Sequence, residues 1–228
     1  MGDYLRYFFF AVYPYIALTI FLLGSLARYD RDQYRWKSDS SQLLKHGTLR
    51  WGSNLFHLGI IALFFTHLVG LLTPPAVYHA LGLSTAAKQE MAIVVGAILG
   101  LVCFAGLVLL IWRRFSEPRL RATSRTSDWL TLIWILIVLT LGLISILTSR
   151  QHHDGGVMVA LGDWAQHIVT FRGGAAAIIA GVPMIYQAHM VLGMTLFVIF
   201  PFTRLVHVWS GFASVAYLGR AWQLVRSR

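Results

Sequence analysis

A chain of 228 residues that is 57% hydrophobic and only 12% charged has the composition of a polytopic membrane protein and leaves little for a separate soluble domain. Its one cysteine, Cys103, excludes both a disulfide framework and a thiolate cluster for iron–sulfur or zinc, so redox chemistry would need an added cofactor. The net charge of +10 would suit nucleic acid, but its distribution does not: Lys and Arg fall in blocks of six, five and four, from Arg28 to Arg50, Arg113 to Arg125 and Arg204 onward, against four on the alternate side.

The N-terminal stretch has an apolar run longer than a signal-peptide core and no small-x-small cleavage site before Arg28, so it reads as a retained first span. Arg6 stands where a myristoylation motif needs Ser or Thr. Four more spans follow, near Ser53 to Thr73, Met91 to Trp112, Trp129 to Thr148 and Pro183 to Trp209, each about the twenty residues a bilayer needs. The expectation is an all-α bundle of five transmembrane helices forming one domain over residues 1–228. The basic blocks place the N-terminus outside and the C-terminus in the cytoplasm by the positive-inside rule, so the second span runs outward and the fifth inward.

The second span carries His57 and His67, and the fifth carries His189 and His207. Ionisable side chains in lipid-spanning helices are costly and need partners. His57 and His67 are ten residues and about 15 Å apart along a helix, and His189 and His207 are 18 residues and roughly 27 Å apart. In antiparallel helices His57 faces His207 near one surface and His67 faces His189 near the other. Two such pairs suit two bis-histidine b-type haems, each iron taking one imidazole from each helix. The rises do not match, so one helix must bend or tilt. Pro201 removes the bond to the Phe197 carbonyl and is the expected kink.

The third and fourth spans have no ionisable group but Cys103 and read as scaffold around the histidine helices, with Cys103 a small buried apolar residue. Between the fourth and fifth spans, Val157, Leu161, Trp164, Ile168 and Phe171 recur at helical spacing, which predicts a short amphipathic helix at the outer surface. The start of the fifth span within the apolar run from Gly173 is not fixed by pattern.

Gly70, Gly193 and Gly211 follow His67, His189 and His207 by three or four residues and leave room for a porphyrin edge, although glycine is common in transmembrane helices. Arg204 lies one turn before His207, with Arg113 and Arg114 at the same level; each suits a haem propionate or a lipid headgroup. Lys88, a single cation at the outer end of the third span, either donates to a quinone carbonyl or marks the interface, and spacing favours the interface. His46, His79, His152, His153 and His167 fall in loops and are expected to be solvated.

The segments FFFAVYPYIA and RYDRDQYRW, SNLFHLGI and HLVGLLTP, AAKQEMA, EPRLRAT and above all HMVLGMTLFVIFPFTRLVHVWS run nearly end to end, and with them the chain resembles the gamma, cytochrome b subunit of membrane-bound respiratory nitrate reductase. The resemblance implies five spans in the bacterial cytoplasmic (inner) membrane, two haem b and quinol oxidation near the outer face. It also implies electron delivery to an iron–sulfur beta subunit and a molybdenum-containing alpha subunit. By the same resemblance His57 and His207 hold the inner haem, His67 and His189 hold the outer haem, and Lys88 belongs to the quinol site. Thr66 departs from the family's better-known members, which have glycine there, and bears on the pocket rather than on ligation. A cytochrome b subunit of formate dehydrogenase or hydrogenase fits the bare chemistry equally. A histidine-based membrane transporter fits it less well, because metal ligands must converge within a few ångströms. A haem-free anchor would leave all four histidines as interhelical glue.

Overall fold

The computed structural model describes residues 2–32, 46–151 and 154–210, leaving out the side chains of Asp32 and His46. The expected roles of His46, His152, His153, Gly211, three of the six cations of the first basic block (Arg35, Lys37 and Lys45) and the C-terminal tail therefore lie outside the described residues. Within them the chain is all-α, and five helices are long and apolar enough to cross a membrane: Asp3–Arg31, Gly47–Leu72, Thr85–Ser116, Thr126–Ser149 and Met184–Phe202.

The first span is α1 (Asp3–Tyr7), a π-turn (Phe8–Val12) and α2 (Tyr13–Asp32). Pro14 explains the interruption, since it has no N–H for the carbonyl of Phe10 and its ring crowds that turn. The freed Phe10 carbonyl accepts instead from Trp164 Nε1 at 2.9 Å. Trp164 belongs to α8 (Gly156–Val169), the predicted amphipathic helix, whose Trp164, Ala165 and Ile168 are buried in one cluster with Phe10, Ala17 and Ile179. The apolar face of α8 thus lies against the first span. Phe171 falls beyond the helix, at a positive φ of 57°, and stacks on Tyr15 with centroids 5.6 Å apart.

The second span is α3 (His46–Leu72), followed by the short α4 (Pro75–Ala80). The third is α5 (Thr85–Ser116), which ends before the short α6 (Pro118–Thr123), and the fourth is α7 (Thr126–Ser149). All three helices extend beyond the apolar runs into their polar flanks. Helices α3 and α5 pack backbone to backbone because glycines line the contact: a Cβ on Gly59 would lie 2.7 Å from the Cys103 Cα, and one on Gly106 would lie 2.8 Å from the Phe56 Cα. Cys103 is wholly buried there, in keeping with its size. Large apolar side chains such as Leu58, Ile61, Leu101 and Val108 face outward, as lipid-facing positions do.

After α9 (Ala175–Ile178) the fifth span begins at Pro183 and forms α10 (Met184–Ile199). The expected kink at Pro201 is a break. Two 3-10 turns, Phe200–Phe202 and Arg204–Val206, flank Thr203, whose φ of −118° and ψ of 177° are extended. Helical geometry resumes at His207. Helix α2 supports the break, because Gly24 leaves room for the Pro201 ring, which a Cβ would approach to 2.8 Å.

Candidate redox centre

Helices α3 and α10, with the turn beyond the break, bring the four span histidines together in two pairs. The imidazole centroids of His57 and His207 are 6.0 Å apart at an interplanar angle of 74°, and those of His67 and His189 are 6.2 Å apart at 42°. Two imidazoles on opposite sides of one metal, each nitrogen about 2 Å from it, would place their centroids about 6 Å apart.

Each ring is held by its Nδ1. His57 Nδ1 lies 2.7 Å from the Ser53 carbonyl, and His67 Nδ1 lies 2.7 Å from the Leu63 carbonyl. Both are contacts one turn back in the same helix. His207 Nδ1 lies 2.7 Å from the carbonyl of Arg204, only three residues back because the intervening turn is 3-10. His189 Nδ1 lies 3.0 Å from the carbonyl of Val138 on α7. A carbonyl can only accept, so each Nδ1 carries the proton and each Nε2 presents a lone pair. That is the tautomer a metal-ligating histidine needs.

The donor set fits a haem. Each pair offers two facing imidazole nitrogens, the donors that a bis-histidine haem would take from the protein. Among the described residues no group of three or more His, Cys, Asp or Glu comes together to hold a bare ion instead. Beside the His67–His189 pair there is room, because a Cβ on Gly70 or Gly193 would meet nothing within 4 Å.

Lys88 is not a surface charge. It is 9% exposed, and its ammonium donates to the carbonyls of Gly70 at 3.0 Å and Thr73 at 3.3 Å while lying 4.2 Å from the Tyr78 ring centroid. It therefore closes the C-terminal end of α3, where backbone carbonyls lack helical partners, one turn beyond His67. Arg114 and Arg204 converge on one carboxylate, with Arg114 Nη1 3.6 Å from Asp128 Oδ2 and Arg204 Nη1 3.8 Å from Asp128 Oδ1. Arg114 also donates to Ser124 Oγ at 2.8 Å, and Arg113 is buried. Neither Arg114 nor Arg204 simply reaches outward.

Over residues 6–228 the sequence matches the profile of the nitrate reductase gamma subunit. The chain belongs to that family. It is 51% identical, over the full length of both proteins, to the respiratory nitrate reductase 2 gamma chain of Escherichia coli strain K12. It is 48% identical to the nitrate reductase 1 gamma chain of the same strain, over 99% of each chain. It is 38% identical to the nitrate reductase gamma chain of Bacillus subtilis strain 168, over 95% of this chain and 96% of that one.

In this gamma subunit three supporting residues have little or no signature in the sequence pattern. Asp128 gives a weak one, as an acidic residue in the first turn of α7 beside a run of arginines. Gly142 gives none, yet a Cβ there would come within 2.9 Å of His189 Cε1. Arg28 looks like an ordinary flanking cation and instead donates to the carbonyls of Pro201 and Thr203 at the break. His79 and His167 lie on α4 and α8 rather than in loops, in local contacts with Thr85 and Asp163.

Proposed function

We propose that this gamma subunit is the quinol-oxidising, di-haem b membrane anchor of a respiratory nitrate reductase, in the bacterial cytoplasmic (inner) membrane. The observation that carries the reading is the facing of His57 with His207 and of His67 with His189, each ring held by a carbonyl on Nδ1. Family membership favours nitrate reductase over formate dehydrogenase or hydrogenase as the complex served.

The two haem b groups supply one-electron transfer. The residues of this chain hold and orient them: His57 and His207 the inner one, His67 and His189 the outer one. Arg114 and Arg204, brought together at Asp128, offer cationic donors to propionates at the inner level. Lys88, beside the outer pair, forms part of the quinol site. Oxidising a quinol releases two electrons and two protons; protons leave on the outer side while electrons pass inward, so charge separation follows from the placement of the site. The chain is one domain over residues 1–228, with its N-terminus outside and its C-terminus in the cytoplasm. There it docks an iron–sulfur beta subunit that feeds a molybdenum-containing alpha subunit. No side chain here could reduce nitrate.

The test is a reduced-minus-oxidised spectrum with haem quantification on the membrane-bound chain. Two low-spin haems per chain are expected, one lost from His57→Ala and from His207→Ala, the other from His67→Ala and from His189→Ala. One haem per chain, or loss of the same component from His57→Ala and His67→Ala, would overturn the pairing. A reporter fused after Arg228 should be active only on the cytoplasmic side.

A further inference from the structure

The fourth span carries no candidate ligand, yet it holds the His189 half of the outer pair. Three of the four imidazoles are fixed by a carbonyl three or four residues back in their own segment, but His189 is fixed by Val138 of α7. The contact belongs to a stripe along one face of α7. Trp134 Nε1 donates to the Leu192 carbonyl at 3.0 Å, Gly142 faces the imidazole edge, and the Tyr186 hydroxyl lies 3.1 Å from the Ser145 carbonyl and 2.6 Å from Ser149 Oγ. On α7 these positions recur every three or four residues, and on α10 they fall at 186, 189 and 192, also one helical face.

We infer that α7 is a positioning element for the outer centre, its Trp134–Val138–Gly142 stripe setting the depth and rotation of the His189 imidazole. The inference rests on the proposed haem ligation. The carbonyl of Val138 fixes which nitrogen carries the proton and the direction of the ring, while Trp134 holds α10 in register so that this carbonyl is within reach. Gly142 is needed because the ring lies against its backbone: an added Cβ, 2.9 Å from Cε1 and 3.5 Å from both ring nitrogens, forces the imidazole or the helix to move. A small residue at this point is a fitted surface for a ligand. Backbone hydrogen bonding to the non-ligating nitrogen also raises the basicity of the ligating one, so α7 acts on the redox properties of the centre as well as on its geometry.

The test compares Gly142→Ala and Trp134→Phe with Gly96→Ala, in membranes carrying the whole complex. The readouts are haem content, the midpoint potential of each haem component and the low-spin spectroscopic signal of each. Gly96 serves as the control because its Cβ would meet Ile146 at an ordinary 3.7 Å. Gly142→Ala should shift the potential and low-spin signal of the component that His189→Ala removes and leave the other in place. Trp134→Phe should shift the same component less, and Gly96→Ala should shift neither. Both components unmoved in Gly142→Ala would overturn the inference. If Gly142→Ala fails to accumulate or loses both components, Trp134→Phe decides, and an unmoved His189-dependent component there overturns it equally. A wild-type chain without haem, or a His189→Ala chain that keeps both components, would instead be a failure of the ligation proposal.

Discussion

Arg28 Nη1 lies 2.6 Å from the carbonyl of Pro201, on the far side of the bundle's sequence, and 2.7 Å from that of Thr203. One guanidinium nitrogen of the first span thus takes two carbonyls that the broken fifth span does not use in a continuous helix. In a lipid-covered segment such carbonyls have no water to turn to.

Arg28→Ala should therefore destabilise the bundle by about 2–3 kcal/mol, the scale of hydrogen bonds to a charged donor. Because His207 follows Thr203 by four residues, the haem component assigned to His57 and His207 should be lost first. Thermal unfolding in detergent, followed at that component's absorbance, checks this. Arg28→Lys should restore part of the stability, since an ammonium can still donate there without the planar fork.

The Phe10 carbonyl offers a sharper case. Pro14 cannot donate to it, and Trp164 does. Trp164→Phe keeps most of the buried ring but leaves the carbonyl unpartnered, at an expected cost of about 1–3 kcal/mol. Pro14→Ala restores an N–H four residues on and should make the Trp164→Phe change less costly. A double-mutant cycle in thermal stability measures the coupling, and additive effects would show that the indole bond and the proline are independent.

The four histidines were legible because they are rare ionisable groups in otherwise apolar spans, and the antiparallel order of those spans carried the pairing. Pro201 was legible as an irregularity but not as a full break. A proline alone predicts a bend, whereas the interruption also draws on Thr203, Gly24 and Arg28, two of them in another span. The supporting residues were not legible for the same reason. Val138 acts through a backbone carbonyl that every residue has, and Gly142 acts by having no side chain. Lys88 reads in sequence as an interfacial charge because burial among the Gly70 and Thr73 carbonyls depends on how α3 ends.

That geometry gives Lys88 a capping role separable from the quinol role proposed for it. Lys88→Ala should lower quinol-driven haem reduction and weaken quinol-analogue inhibitors while both haems remain, since the lysine ligates nothing. It should also loosen the C-terminal end of α3. Lys88→Met keeps much of the apolar stem over Tyr78 but no donor, so it should match Lys88→Ala in quinol kinetics if the ammonium matters and recover toward wild type if packing does. Unaltered kinetics in both fully loaded variants would leave Lys88 as an α3 cap only.

The last expectation concerns Thr66, where this chain departs from the glycine of the family's better-known members. Its hydroxyl donates to the Leu63 carbonyl at 2.9 Å, the same oxygen that accepts from His67 Nδ1 at 2.7 Å. A carbonyl has two lone pairs and can serve both donors, but the second withdraws electron density from the bond to the imidazole. His67 is then a slightly less basic ligand than it would be with that carbonyl to itself. Thr66→Val removes the hydroxyl and keeps the branched shape, so the helix is little disturbed. The Nδ1–H bond strengthens, the imidazole donates more strongly, and the oxidised, more positive iron is favoured. The midpoint potential of the component assigned to His67 and His189 should fall, with the other unchanged and haem content intact. A potentiometric titration of the two components in membranes measures it, and a rise, or an equal shift in both, would show that Thr66 does not act through the Leu63 carbonyl.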